Sequence, residues 1–435
     1  MELYSLFQQH PVICTDSRNC PEGSLFFALK GHNFNANVFA KTALENGCAY
    51  AVVDEAEYAV DERYILVKDV LSTLQQLARH HRRQLGAKIL AITGTNGKTT
   101  TKELIAAVLK EKYNVLYTQG NLNNHIGVPL TLLQLKPVHQ IAVIEMGANH
   151  PGEIKTLAEI ACPDYGIITN VGKAHLEGFG SFEGVKNTKA ELYDYIFEHG
   201  KAIFINKDNE HLMEMAAKAG FNEINRIREY SLDPENDVCY IYGKVTSCSP
   251  FLNMKCTIDC FNDFNVRTKL IGAYNAENVL AAVAIGEFFG VDIKKIKQAL
   301  EKYVPQNNRS QLTVTAKNKL VVDAYNANPT SMKAAISNFG QMDVEHKVLI
   351  LGDMFELGEQ SDLEHQTVVE LLKQYDFEKV ILVGPRFKNT ENSFLSYDNA
   401  ELLLTDLTSK NEIKNCYVLI KGSRGIKLEK VLDAL

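Results

Sequence analysis

The sequence predicts an α/β protein of three domains: a small mixed α/β N-terminal domain, a central P-loop ATPase-like domain with a mostly parallel sheet, and a C-terminal Rossmann-like domain. Three observations carry this reading. The chain has 435 residues, which at roughly 150 residues per domain is about three domains. From Lys88 onward, apolar runs of strand length alternate with helical sequence, as in a parallel α/β sheet. The first of those runs leads into a glycine-rich turn and then a helix.

The elements follow in chain order. In the first block, residues 1–85, Ser24–Leu29 and Ala49–Asp54 read as strands, with helical Lys41–Gly47 between them. Leu71–Gly86 reads as a polar-capped helix ending at a hinge glycine. The second block, residues 86–304, opens on the apolar run Lys88–Thr93, and its first helix is expected over Thr100–Lys112. Asn114–Thr118, Ile141–Gly147, Tyr165–Gly172 and Lys201–Asn206 are further buried-strand candidates. Residues 237–271 change character. Their stretches alternate and carry turn residues, so antiparallel strands added to the same sheet are expected. Helices over Asn275–Phe289 and Ile293–Tyr303 close the block. In the third block, residues 305–435, Lys347–Asp353, Lys379–Gly384 and Tyr417–Ser423 read as strands, each followed by helical sequence.

Bulk properties narrow the function classes. Hydrophobic residues make up 46% of the chain and charged residues 23%, as in an ordinary globular protein. Net charge is −7 with no basic tail or block, which argues against nucleic acid as the main partner. Anionic small ligands need only a few local cations. The nine cysteines are scattered and form no CxxC pair. Cys256 and Cys260 are close in sequence, but no second pair or histidine cluster completes a zinc site, so free thiols in a reducing cytosol are expected. The N-terminal residues lack a basic, then apolar, leader pattern. No apolar run reaches the roughly 18 residues of a membrane span, and Val279–Val291 is interrupted by Glu287. A cytoplasmic protein is expected.

The sharpest local signal is Gly94-Thr95-Asn96-Gly97-Lys98-Thr99-Thr100. Glycines let a backbone curl so that its N–H groups face an anion, and the following helix N-terminus adds partial positive charge. Lys98 would neutralise β- and γ-phosphates, and the Thr99 hydroxyl would ligate Mg²⁺. The string departs from the standard phosphate loop in having Ile92 where that pattern has its first glycine. Such a loop needs a carboxylate for the metal, and Ile141–Glu145 is an apolar strand ending in one. Alone, a strand-end glutamate reads as a surface residue; beside the loop it reads as a metal ligand.

Six strings resemble, in order, those of the Mur ligase family: Gly94–Thr100, GNLNNHIGVPLTLL (Gly120–Leu133), EMGANHPGEI (Glu145–Ile154), NVGKAHLEGFGS (Asn170–Ser181), DAYNANPTSM (Asp323–Met332) and LGDMFELG (Leu351–Gly358). The last five resemble the branch that joins D-alanyl-D-alanine to UDP-N-acetylmuramoyl-tripeptide. The resemblance implies transfer of the ATP γ-phosphoryl to a carboxylate, then attack on the acyl phosphate by an amine. It implies ATP and two Mg²⁺ sites as cofactors, those two small molecules as partners, and a monomer. Lys98, Thr99, Glu145 and His175 would serve ATP and metal. Lys189 resembles the lysine that the family carries as a carbamate; by itself it reads as a solvated helix residue. Asn275 and Asn278 match an adenine-facing pair, with helix capping as the other reading. Arg309 and Asp323 would reach ATP from across a domain junction, with Asn326 and Asn328 continuing that loop. Asn123, Asn124 and His125 would face the muramoyl-peptide. Ser17 and Arg18 would open the uridine-nucleotide site, where a plain Asp-Ser turn is the alternative. Lys421–Arg424 reads either as a substrate contact or as a solvated turn.

Other readings stand beside this one: a sister ligase adding a single amino acid, a folylpolyglutamate synthase-like ligase, and a non-catalytic P-loop nucleotide-binding scaffold. Gly120–Val128 and Asp323–Met332 favour the D-alanyl-D-alanine branch. The intact set of Lys98, Glu145, His175 and Lys189 favours an enzyme.

Overall fold

The computed structural model describes residues 2–222, 224–233, 240–259, 262–306, 309–410 and 412–435. Its N-terminal part is built on a parallel sheet of short strands, β1 (Ile13–Cys14), β2 (Leu25–Phe27), β3 (Tyr50–Val53) and β4 (Tyr64–Leu66), in that order, beside a small hairpin that pairs Lys30–Gly31 with Phe34–Asn35. Helices α1 (Glu2–Gln9), α2 (Ala40–Glu45) and α3 (Val70–Gln84) accompany it. Asp69 caps α3 by accepting from the Ser72 N–H at 2.6 Å, and His81, Arg82 and Arg83 sit at its negative end. The apolar face of α3 (Val70, Leu74, Leu77) shares one buried cluster with Ile89, Val128, Leu132 and Ile154 of the next part. This helix therefore joins the first sheet to the second.

The central sheet has six parallel strands in the order β10-β9-β8-β5-β7-β6. They are β5 (Lys88–Thr93), β6 (Val115–Tyr117), β7 (Ile141–Glu145), β8 (Tyr165–Ile168), β9 (Ala202–Asn206) and β10 (Ile227–Tyr230). Its helices are α4 (Lys98–Lys110), α5 (Gly127–Leu132), α6 (Glu153–Ala161), the short α7 (Leu176–Phe179), α8 (Phe182–His199) and α9 (Glu210–Lys218). β5, β7, β8 and β9 are buried on both faces, as a sheet covered by helices requires. α4 begins at Lys98, two residues before the sequence-based expectation. Gly97, at φ 78°, turns the chain so that the lysine is the first helical residue.

The alternating stretch does not extend the main sheet. β11 (Ile241–Cys248), β12 (Phe251–Ile258) and β13 (Asn262–Ile271) form a separate antiparallel sheet. One bridge, Ser231 to Tyr242, links it to the strand end of β10. The reason is α10 (Ala276–Phe288), which is apolar all round and so must be buried on every side. One face packs against Leu104 and Val108 of α4, and the other against Leu252, Met254 and Val266 of the small sheet. A β-carbon at Gly286 would lie 2.4 Å from Val108 Cγ1, so the two helices approach as only glycine permits. α11 (Ile293–Lys302) completes this layer. Cys260, weighed above for metal binding, lies outside the described residues.

The last part has β14 (Gln311–Val314), β15 (Lys319–Asp323), β16 (Lys347–Gly352), β17 (Lys379–Val383), β18 (Leu395–Tyr397) and β19 (Tyr417–Lys421), with helices α12 (Pro329–Gln341), α13 (Ser361–Leu372), α14 (Pro385–Lys388) and α15 (Ala400–Lys410). The order is β14-β15-β19-β16-β17-β18, parallel throughout except for edge strand β14. Among the described residues no helix is long and apolar enough to cross a membrane.

Candidate active site

The crossover from β5 through α4 carries the chain past β7 to β6, which leaves the C-terminal ends of β5 and β7 adjacent. Ile92 pairs with Glu145 in that register, so the Gly94–Lys98 turn emerges beside the glutamate. The turn is held from outside: Asn170 O accepts from Thr95 N–H at 2.9 Å, Asn170 Oδ1 from Asn96 N–H at 2.9 Å, and Asn96 O from the Thr169 hydroxyl at 2.6 Å. A β-carbon at Gly94 would sit 2.0 Å from Thr169 Oγ1, and one at Gly97 would sit 2.6 Å from Asn278 Oδ1. Lys98 Nζ folds over the turn and donates to Gly94 O at 2.8 Å and Thr95 O at 3.0 Å. Burial pulls its ammonium down to about 8; nearby Glu145 opposes that and Arg309 adds to it.

Glu145 is 1% exposed. Its Oε1 accepts from Thr99 Oγ1 at 3.2 Å and from Asn123 Nδ2 at 2.8 Å. Its Oε2 has no hydrogen-bond partner; Lys102 Nζ stands 3.5 Å away. Sequence reading missed Lys102, which is as buried as the glutamate. The i,i+4 spacing from Lys98, which puts both lysines on one face of α4, was a usable signal.

Lys189 on α8 is 2% exposed, so the reading of it as a solvated residue fails. Its Nζ lies 5.3 Å from the centre of the Phe179 ring. Burial, reinforced by the charge of Lys98, pulls its ammonium down to about 7. His175 adopts φ 50°, and its Nδ1 meets the carboxylate of Glu356, itself at φ 63° on the loop after β16. The imidazole holds the Glu356 carboxyl below its ordinary value. Glu356 was also missed, since nothing local distinguishes it from a surface acid.

Asn275 and Asn278 do not cap α10. Asn275 Nδ2 donates to Ile271 O at 2.8 Å, and its Oδ1 accepts from Asn278 Nδ2 at 2.8 Å. Asn278 Oδ1 accepts from Thr101 Oγ1 at 2.9 Å, tying α10 to the phosphate-loop helix. The guanidinium of Arg309 stacks 3.8 Å from the Tyr325 ring centre, and its buried Nε has no partner. Asp323 and Lys421 end adjacent parallel strands and pair at 2.6 Å. Lys421 is 2% exposed, which excludes the solvated-turn reading for that residue. Asn326 Oδ1 accepts from Ala327 N–H. Asn328 caps α12 in a reciprocal capping box with Ser331, and its Nδ2 donates to Asn96 Oδ1 at 2.8 Å across the junction of the second and third parts.

Lys98, Glu145, His175, Lys189, Arg309 and Lys421 line one cavity of about 1110 Å³ together with Asn275, Asn278, Asp323, Asn326 and Asn328, and α3 contributes Leu71 and Gln75. Thr100, Asn124 and His125 also line it. Asn124 Oδ1 is engaged by the Ile126 and Gly127 N–H groups at the start of α5. Ser17 and Arg18 are not brought to this cavity. Arg18 grips Asp16 with two 2.8 Å bonds and is 87% exposed, and Ser17 O accepts from Asn46 Nδ2. A volume of this size, with a phosphate-type loop, a buried carboxylate that has one oxygen free of hydrogen bonds, and converging cations, suits polyanionic nucleotide chemistry.

Comparison with known proteins agrees. Three family models match consecutive stretches: "Mur ligase family, catalytic domain" over residues 11–82, "Mur ligase middle domain" over 92–286, and "Mur ligase, glutamate ligase domain" over 308–416. UDP-N-acetylmuramoyl-tripeptide--D-alanyl-D-alanine ligase of Bacillus subtilis is 34% identical, over 97% of this chain and 92% of that protein. A crystal structure of MurF from Acinetobacter baumannii superposes with a TM-score of 0.84 at 31% identity, over 97% of this chain and 92% of that one. MurF ligase from Thermotoga maritima, in complex with ADP, has a TM-score of 0.84 at 27% identity, over 97% and 96%. The chain belongs to the Mur ligase family.

Proposed function

We propose that this chain is an ATP-dependent ligase that joins D-alanyl-D-alanine to the carboxylate of UDP-N-acetylmuramoyl-tripeptide, in the synthesis of peptidoglycan precursor. The observation that carries the chemistry is the convergence of Lys98, Glu145, His175, Lys189 and Arg309 on one cavity. The full-length relatives named for this reaction support the choice of substrates over those of a sister ligase or a folylpolyglutamate synthase.

A carboxylate is a poor electrophile. Taking the γ-phosphoryl of ATP gives it a leaving group, and the dipeptide amine then attacks the acyl carbon and expels phosphate. Charge gathers on the phosphoryl oxygens, so fixed donors and positioning do most of the work. The N–H groups of Gly94–Thr100 and the start of α4 receive the phosphates. Lys98 exchanges its two carbonyl acceptors for phosphate oxygens. Thr99, Glu145 and His175 would hold Mg²⁺: Glu145 offers a buried oxygen with no hydrogen-bond partner, and hard cations prefer carboxylate oxygens. When bound, the metal neutralises charge on the transferring group. Lys189, buried beside Lys98, would lose its proton readily; its free amine would take up carbon dioxide with release of one proton, and the carbamate would be a ligand for a second Mg²⁺. Asn275 and Asn278 face adenine. Arg309 and Asp323 reach ATP from the third part. Asn123, Asn124, His125, Asn326 and Asn328 border the muramoyl-peptide, with Asn123 also steadying Glu145. Ser17 and Arg18 meet the uridine diphosphate. On this reading residues 1–85 bind the UDP substrate, 86–304 bind ATP and 305–435 present the amine, in a monomer.

The test is phosphate release from ATP with UDP-N-acetylmuramoyl-tripeptide, with and without D-alanyl-D-alanine. Release that needs both, with the pentapeptide product seen by mass spectrometry, is the expected result. Release with a free amino acid and the dipeptide precursor would move the chain to a sister branch. No release with any pair would overturn the ligase reading.

A further inference from the structure

Outside the lining of that cavity, Cys14 of β1, Cys20 of the following loop and Cys48, just before β3, come together. Their three sulfurs all lie within 4.8 Å of one another, and Cys14 and Cys20 are 3.7 Å apart. Cys14 and Cys48 are 4% and 5% exposed while Cys20 is half-buried, so the set is open on one side. Among the described residues no histidine, carboxylate or further cysteine completes a fourth position. The loop above points carbonyl oxygens at the sulfurs: Cys14 donates to Asp16 O at 3.2 Å and to Asn19 O at 3.6 Å, and Cys20 donates to Ser17 O at 3.5 Å. Ser24 Oγ lies 3.2 Å from Cys48 Sγ. Arg18, carried on the same loop, has its guanidinium turned onto Asp16.

We propose that Cys14, Cys20 and Cys48 form a three-thiol site that captures one trivalent thiophilic metalloid, the class represented by arsenite. The number and spacing of the sulfurs match an atom that takes three substituents. One As(OH)₃ meets three thiols. Three As–O and three S–H bonds break, three As–S bonds form, and each thiol proton leaves in a water molecule. No electrons are transferred, and the product is neutral. Neutrality separates this class from d¹⁰ cations. Zn²⁺ or Cu⁺ would need three thiolates, leaving a net negative complex facing the carbonyls of Asp16, Ser17 and Asn19, while Arg18 of the same loop is turned onto Asp16. Zn²⁺ would also need a fourth ligand. Capture ties β1, the Cys20 loop and the Cys48 turn together and withdraws the thiol hydrogens from the loop carbonyls. The loop that carries Ser17 and Arg18 is therefore the part that responds.

The experiment uses the reduced full chain, without oxygen, and one equivalent of sodium arsenite. Intact mass spectrometry is expected to show one added arsenic less three hydrogens, with three thiols lost to a thiol-titrating reagent. Cys14→Ser, Cys20→Ser and Cys48→Ser should each lower arsenic retention by more than about tenfold, because one arm of the chelate is gone. Cys162→Ser and Cys416→Ser should retain it. Should a buried serine impair folding, X-ray absorption on the unaltered protein decides the matter: three sulfurs and no oxygen around arsenic are expected. No adduct at one equivalent, retention unchanged in the three variants, or tight uptake of Zn²⁺ in preference to arsenite would each overturn the proposal. The mass readout does not depend on the ligase assignment.

Discussion

Lys189 is buried and Lys98 half-buried, and their removal should fail in different ways. Lys98→Ala takes away a charge that acts directly on phosphate, and ligation should fall by at least about a hundredfold, roughly 3 kcal/mol of transition-state stabilisation. Its melting temperature should stay near that of the unaltered protein, because burial already opposes the ammonium. Substantial turnover by that variant would remove the phosphate-loop assignment. Lys189→Ala should lose most activity, and short carboxylic acids or high bicarbonate should restore part of it by supplying the missing anion. Activity like that of the unaltered protein would rule out the carbamate. At this scale the sequence was legible where chemistry is local. Lys98 and Thr99 follow a glycine turn, and Glu145 ends an apolar strand. Lys189 needed the family resemblance. Lys102 was within reach of its i,i+4 spacing to Lys98, whereas Glu356 joins His175 only through the meeting of two loops, which no single segment encodes.

Helix α10 shows how an element can be read well and placed badly. Its apolar sequence announced burial, but its position between α4 and the β11–β13 sheet depends on pairing that alternation alone cannot assign. Edge strand β14 was not read at all; three half-buried residues and an exposed Val314 carry little pattern. Glu277, half-buried in the first turn of α10, has its carboxyl pushed up to about 7 by burial and by Asp208. A free glutamate releases its proton near pH 4.3. Between those values the folded chain holds a proton that the unfolded chain has lost, so stability should fall as pH rises from about 4 to about 7. In Glu277→Gln the melting temperature should vary less across that window; an unchanged slope would show that another group sets it. In α12, Asn328→Ala removes a capping box and should cost about 1 kcal/mol, seen as a lower melting temperature.

At the scale of the molecule, the order of parts was legible and their junctions were not. The second and third parts meet through Asn96 with Asn328, His175 with Glu356, and Lys173 with Glu364 at 2.9 Å. These contacts join residues far apart in sequence, so periodicity and motif spacing are blind to them. Lys173 is 54% exposed and Glu364 8%, so the pair should contribute modestly. A double-mutant cycle of Lys173→Ala and Glu364→Ala on thermal stability should give a coupling of about 0.5 kcal/mol that shrinks in high salt. Zero coupling at low salt would mean that the two parts are held by other contacts.

The crowding around Gly94 and Gly97 has a pharmacological consequence. With Thr169 Oγ1 2.0 Å from where a side chain would begin at position 94, and Asn278 Oδ1 2.6 Å away at position 97, neither site can change without disturbing its neighbours. An inhibitor anchored on the peptide groups of this turn would rest on a surface that single mutations cannot easily reshape. Resistance to such a compound would have to arise at the rim of the cavity, in residues such as Leu71 and Gln75, or through altered expression and uptake.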